Sequence, residues 1–150
     1  MRPDNIRQAI TIFIRWQNPE TGLVKPFRRV LTNCFVSEQG NQIAERTGIV
    51  LNQALFAQVF LQNGVKYFPL HEWRGFSEEE LDGKWSVDEL SPQSIFVPYI
   101  VGHEFDFGSV SQITTQENAF INSTPNAKRI AKIEPNMRGT ERSRHVVLRC

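Results

Sequence analysis

Ile10, Ile12, Ile14 and Trp16 alternate with Thr11, Phe13 and Arg15, and the run ends in Asn18-Pro19-Glu20-Thr21-Gly22. No other feature restricts the fold as much. A period of two rich in β-branched residues is the pattern of a half-buried strand, because successive side chains leave a strand on opposite faces. The Pro and Gly that follow supply a turn. A second strand is predicted over Phe27–Val36, with Phe27, Arg29, Leu31, Asn33 and Phe35 on one face and Arg28, Val30, Thr32, Cys34 and Val36 on the other. Their short connection makes the two strands a hairpin.

Ser37–Gly48 is polar around Gly40-Asn41 and reads as a loop. Ile49–Leu61 fits neither period well; Gly48 and Asn63-Gly64 at its flanks favour a strand, with a helix over Asn52–Leu61 as the alternative. Tyr67–Trp73 is aromatic and broken by Pro69, which predicts an extended segment packed at an edge. Ser77 and Glu80 stand at capping-box spacing and predict a single helical turn over Ser77–Leu81. After a turn at Ser91–Ser94, Ile95–Val101 reads as a strand that Pro98 sends to an edge or a bulge, and Phe105, Phe107 and Val110 extend the β pattern. Thr114 and Glu117 repeat the capping-box spacing and start a short helix reaching Ile121 or Asn122. Lys128–Glu134 and Arg144–Arg149 read as a terminal hairpin with a long basic tip at Pro135–Thr140. With no repeat or linker, 150 residues make one domain, 1–150. It is mainly β: a small barrel or sandwich with long loops or a hairpin and one or two short helices.

The 17 Lys and Arg nearly balance the 16 Asp and Glu, for a formal charge of +1. A dedicated duplex binder usually carries a stronger basic excess, since phosphate contacts dominate its affinity. The charges are nevertheless sorted. Glu78, Glu79, Glu80, Asp82, Asp88 and Glu89 stand against Lys84 alone, and Lys128, Arg129, Lys132, Arg138, Arg142, Arg144 and Arg149 against Glu134 and Glu141. Complementary patches join copies of one protein head to tail, so Glu78, Glu79, Glu80, Asp82, Asp88, Glu89, Lys128, Arg129, Arg138, Arg142 and Arg144 are candidate interface residues. A solvated face is the default reading of the basic stretch, and a surface facing nucleic acid is a further one. Trp85 beside the acidic block is a core anchor or an interface hot spot.

Catalytic signatures are sparse. His103, Glu104 and Asp106 are the tightest group of possible metal ligands, but strand geometry sends alternate residues to opposite faces. Cys34 with His71 or His103 as base would need an environment that lowers the thiol pKa, whereas a Cys in an apolar strand usually packs as a small core residue. No G-x-S-x-G, H-E-x-x-H, Walker loop or paired C-x-x-C is present, and no cofactor is implied. Two widely spaced cysteines and a start lacking signal-peptide regions suggest cytosolic synthesis, and no apolar run is long enough to cross a bilayer.

From Val65 onward, Tyr67-Phe68-Pro69 through Trp73, Gly83-Lys84-Trp85-Ser86-Val87, the apolar Ile95–Val101 and the closing Ser143-Arg144-His145-Val146-Val147 resemble minor capsid proteins of tailed bacteriophages, in particular the head-closure (stopper) proteins of the head–tail junction. The resemblance covers a little more than the second half of the chain. It departs at Asp88–Ser94, where a tight Gly-containing turn is typical, and at His145, which lacks a neighbouring Trp. It implies a compact β-barrel with an extended loop or hairpin and no enzymatic activity. Further implications are a homo-oligomeric ring (hexamer or dodecamer), portal or adaptor and tail-terminator proteins as partners, and non-specific contact with packaged DNA. The place implied is the head–tail junction of the virion, after assembly in the host cytoplasm and without a membrane partner. The alternatives are a small cysteine- or metal-dependent hydrolase using Cys34 or the His103–Asp106 group, and a generic β adaptor module binding a protein partner.

Overall fold

The structure, a computed structural model, describes residues 8–40, 53–61, 65–90, 92–102, 110–124, 126–140 and 144–150. Strands β1 (Gln8–Gln17) and β2 (Val24–Gly40) form the expected antiparallel hairpin, with Ile12 opposite Arg29 and Ile14 opposite Phe27. Asn18 closes the turn: its Oδ1 accepts the Glu20 and Thr21 N–H groups at 2.8 and 3.3 Å, and Gly22 takes the positive φ of 74°. β2 runs further than expected. Ser37–Gly40 is strand rather than loop because β3 (Gln53–Phe60) pairs with it, Ser37 opposite Phe56 and Gly40 opposite Gln53. The strand reading of Ile49–Leu61 therefore holds over Gln53–Phe60; the rest of the expected loop lies outside the described residues.

The face assignment along β2 fails at one residue. Leu31 and Cys34, placed on opposite faces by parity, are both fully buried in the same core cluster. Asn33 explains this: at φ 57° it sits in the left-handed region, and the pairing steps from Leu31 opposite Ile10 to Cys34 opposite Gln8. β2 thus spends one residue more than β1 there, which is a β-bulge. Asn tolerates that conformation better than most residues.

Next come β4 (Lys66–Tyr67), helix α1 (Leu70–Trp73), a 3-10 turn at Glu79–Leu81, and β5 (Lys84–Trp85), which pairs in parallel with β4. Tyr67–Trp73 is therefore not extended throughout; beyond Pro69 it coils into one helical turn. β6 is only Ile95–Val97, and it lies inside the sheet between β1 and β7 rather than at an edge. Pro98 ends it, in a tight turn where the Tyr99 N–H donates to the Val97 carbonyl at 2.9 Å. Helix α2 (Val110–Ser123) starts before Thr114, so Val110 is helical and the Thr114–Glu117 spacing is interior to the helix. The expected strand Lys128–Glu134 splits into β7 (Lys128–Arg129) and β8 (Lys132–Asn136). β8 and β9 (His145–Arg149) form the expected terminal hairpin.

The split closes the architecture. The sheet order is β7-β6-β1-β2-β3-β9-β8, so consecutive β7 and β8 occupy opposite edges. Only Ile130 and Ala131 separate them, and three Cα steps span at most roughly 11 Å. The Ile130 N–H donates to Ser94 on one side, and the Ala131 N–H to Arg149 on the other, both at 2.8 Å. The antiparallel sheet therefore curls into a half-barrel whose edges meet at this corner. Arg129 leads through Ile95 and Phe13 to Arg28, whereas Lys132 leads through Arg149 and Phe56 to Ser37. That stagger along β2 is the tilt a closing sheet requires. The outer side of β8 is guarded as well: the Ile133 N–H donates to Glu89 Oε2 at 2.8 Å, and Pro135 has no N–H.

Ile10, Ile12, Leu31, Cys34, Ala57, Val59, Phe96, Val146 and Leu148 fill the barrel together with Trp85. β1 is buried on both faces rather than half-buried. Phe13 packs edge-on against Phe120 of α2 at 5.1 Å. Thr11 Oγ1 donates to Tyr99 O at 2.7 Å and accepts from the Val101 N–H at 3.0 Å, pinning the segment after β6 onto the strand. Ile14 and Trp16 pack with Trp73 and Leu81 beneath α1 and the 3-10 turn.

Candidate subunit interface

The acidic block divides in two. Ser77 and Glu80 form the predicted capping box: the Ser77 N–H donates to Glu80 Oε1 at 2.9 Å and the Glu80 N–H to Ser77 Oγ at 3.4 Å. The backbone N–H of Ser77, helped by its side chain, holds the Glu80 carboxyl below its ordinary range. Glu78, Glu79, Glu80 and Asp82 are exposed there, Glu78 in an ion pair with Lys25. Asp88 and Glu89 turn inward. Asp88 is buried, meets Arg74 Nη2 at 2.7 Å and accepts the Leu90 N–H at 3.0 Å, while its own N–H donates to Ser94 Oγ at 2.9 Å. Glu89 is held against the β8 backbone. Trp85 is fully buried against Tyr67, ring centroids 4.9 Å apart, and serves the core rather than a neighbouring subunit.

The acidic lobe is fixed to the barrel by Arg29, which strand periodicity places only on the face shared by Phe27 and Leu31. Its Nε donates to Lys84 O and its Nη2 to Leu81 O, both at 2.8 Å, and its Nη1 to Arg28 O at 2.9 Å. The guanidinium also lies over the Phe27 ring at 5.3 Å. Burial, opposed by Asp82, lowers its pKa. The adjacent Arg28-Arg29 pair in an otherwise alternating strand is the only local signal of this role.

The basic stretch is also partly spent internally. Arg129 donates to Asn118 Oδ1 at 2.7 Å and stands 3.6 Å from Glu117. Lys132 and Arg149 both approach Glu134, at 3.3 and 3.2 Å, and the bond from Arg149 is the main reason its carboxyl is lowered. Lys128, Arg138 and Arg144 are exposed; Arg142 lies outside the described residues. Arg138 and Arg144 stand in the connection between β8 and β9, and β3 separates that hairpin from the β2 strand beneath the acidic lobe.

A buried ion pair ties α2 to the sheet. Glu117, 3% exposed, accepts from Arg15 Nε at 2.9 Å. Burial outweighs both arginines and raises the Glu117 carboxyl. Arg15 in an otherwise apolar strand was its sequence signal.

Cys34 is fully buried and its Sγ points at the Leu31 and Thr32 carbonyls, 3.3 Å from each. Burial pushes its pKa up to about 12, the opposite of what a nucleophile needs. His71 is exposed on α1. Among the described residues no three or more His, Cys, Asp or Glu side chains gather as a metal site; His103, Glu104 and Asp106 lie outside them. No helix among the described residues is long and apolar enough to cross a membrane. Set against family models, curated proteins and solved structures, the chain matches none of them.

Proposed function

We propose that this chain is a non-enzymatic structural subunit of a phage head–tail connector ring, a head-closure protein or its neighbour in the neck. In this reading it joins the portal or adaptor to the tail, at the head–tail junction of the virion, and helps retain packaged DNA. The observation that carries the proposal is a pair of exposed patches of opposite charge on one half-barrel. One is the acidic lobe with Glu78, Glu79, Glu80 and Asp82. The other is the β8–β9 connection with Arg138 and Arg144. Each has an exposed apolar residue close by in sequence, Leu90 at 71% and Met137 at 44%. A contact between two different patches is heterologous, and it closes into a ring when its rotation permits. Exposed ion pairs contribute only about 0.2–1 kcal/mol each, so several must act together with the apolar pair.

A charge-swap experiment tests this. R138E/R144E and, separately, E79K/D82K should each fail to assemble, and a mixture of the two should form mixed oligomers. Assembly of both variants like the parent chain would refute the pairing.

A further inference from the structure

At the turn end of the β1–β2 hairpin a cleft of about 590 Å³ is lined by Arg15, Trp16, Gln17, Asn18, Arg74 and Pro92 among others. That volume lies within the range of small-ligand sites, about 300–1,000 Å³. Two arginines line it from different elements, Arg15 from β1 and Arg74 from just past α1. Each meets one internal carboxylate through one nitrogen, Arg15 Nε on Glu117 and Arg74 Nη2 on Asp88. A guanidinium carries five N–H donors in a planar fork, so these pairings use a minority of them.

Arg15 and Arg74 also interact electrostatically with each other, so two like charges share one cleft. The Arg15 side chain is 12% exposed and that of Arg74 44%, so an anion can be approached from solvent through Arg74. The planar forks match carboxylate and phosphate oxygens, and an anion between them would relieve their mutual repulsion. We propose that this cleft binds an oxyanion, a carboxylate or phosphate group, held between Arg74 and Arg15.

The test uses the full chain labelled with ¹⁵N, reading the arginine Nε–H signals while inorganic phosphate or, separately, acetate is added at ionic strength held constant with chloride. Saturable shifts at Arg15 and Arg74 are expected from at least one probe, and the probe that saturates first identifies the oxyanion class. R74Q should weaken binding about tenfold or more, the loss expected for a charged hydrogen bond. V24E places a carboxylate in the cleft wall without touching the Arg74–Asp88 pair, and should abolish binding even if R74Q folds poorly. R138Q should leave it unchanged. Absence of saturation with both probes, or undiminished binding in V24E, overturns the proposal.

Discussion

Removing the Arg29 guanidinium should loosen the acidic lobe before it unfolds the barrel. Arg29→Met keeps the aliphatic stem beside Phe27 and deletes the donors to the Lys84 and Leu81 carbonyls, each at 2.8 Å. A hydrogen bond from a charged donor contributes about 1.5–3 kcal/mol, and less where water reaches the acceptor. Arg29 is half-buried, so each of these two long-range bonds is taken at about 1–2 kcal/mol, and the loss is about 2–4 kcal/mol. For a domain of this length Tm moves roughly 2–4 °C per kcal/mol, which puts the drop at roughly 4–16 °C. Urea denaturation gives the total, and amide hydrogen exchange gives its location. The Lys66 and Phe68 N–H groups, bonded to Gly83 and Trp85 carbonyls across the β4–β5 pair, should lose protection, while the β1–β2 amides keep theirs. A Tm change below roughly 2 °C with unchanged exchange at Lys66 and Phe68 would refute the role given to Arg29.

The bulge at Asn33 predicts that Asn33→Gly is tolerated, whereas Asn33→Val costs about 1–2 kcal/mol or more in chemical denaturation because a β-branched residue resists positive φ. Glu117 has a raised folded-state pKa, so in that window the native state holds the proton more tightly than the unfolded chain does. Its contribution to stability is therefore full below the ordinary value of 4.5 and is lost as pH rises through the folded value; comparing Glu117→Gln with the parent across that range should show this slope disappear. Cys34, with its thiol pushed up to about 12, should react with a thiol reagent at pH 8 only as fast as the chain unfolds, measured by mass spectrometry with and without urea; fast labelling in the native state would revive a nucleophilic role.

Features set by neighbours in sequence were legible in the sequence. The alternation from Ile10 to Trp16, the Asn18–Gly22 turn, the Ser77–Glu80 box and the terminal hairpin depend on local spacing, and each is present. Features set by distant partners were not. Parity along β2 holds until Asn33 shifts it, and the reason lies in the register with Gln8 and Ile10. Lys128–Glu134 looks like one strand because its break at Ile130–Ala131 is imposed by two different neighbours, β6 and β9. Thr114–Glu117 has the spacing of a helix start, but Glu117 is engaged with Arg15 on the sheet. The acidic block illustrates the same limit: the count of charges in Ser77–Leu90 says nothing about direction. Asp88 and Glu89 face Arg74 and the β8 backbone, leaving Glu78, Glu79, Glu80 and Asp82 to face outward.

Mass in solution at low salt tests the connector reading most directly, because a heterologous contact between unlike patches closes into a ring of fixed mass when its rotation permits and grows an open filament when it does not. Native mass spectrometry and light scattering of the full chain should give a single closed oligomer, ring-shaped in negative stain. Raising the salt or introducing R142E/R144E should disperse it, since exposed charge pairs are screened within about 10 Å at 0.1 M. A monodisperse monomer at every ionic strength, with no binding to a phage portal, adaptor or tail-terminator protein, would contradict it.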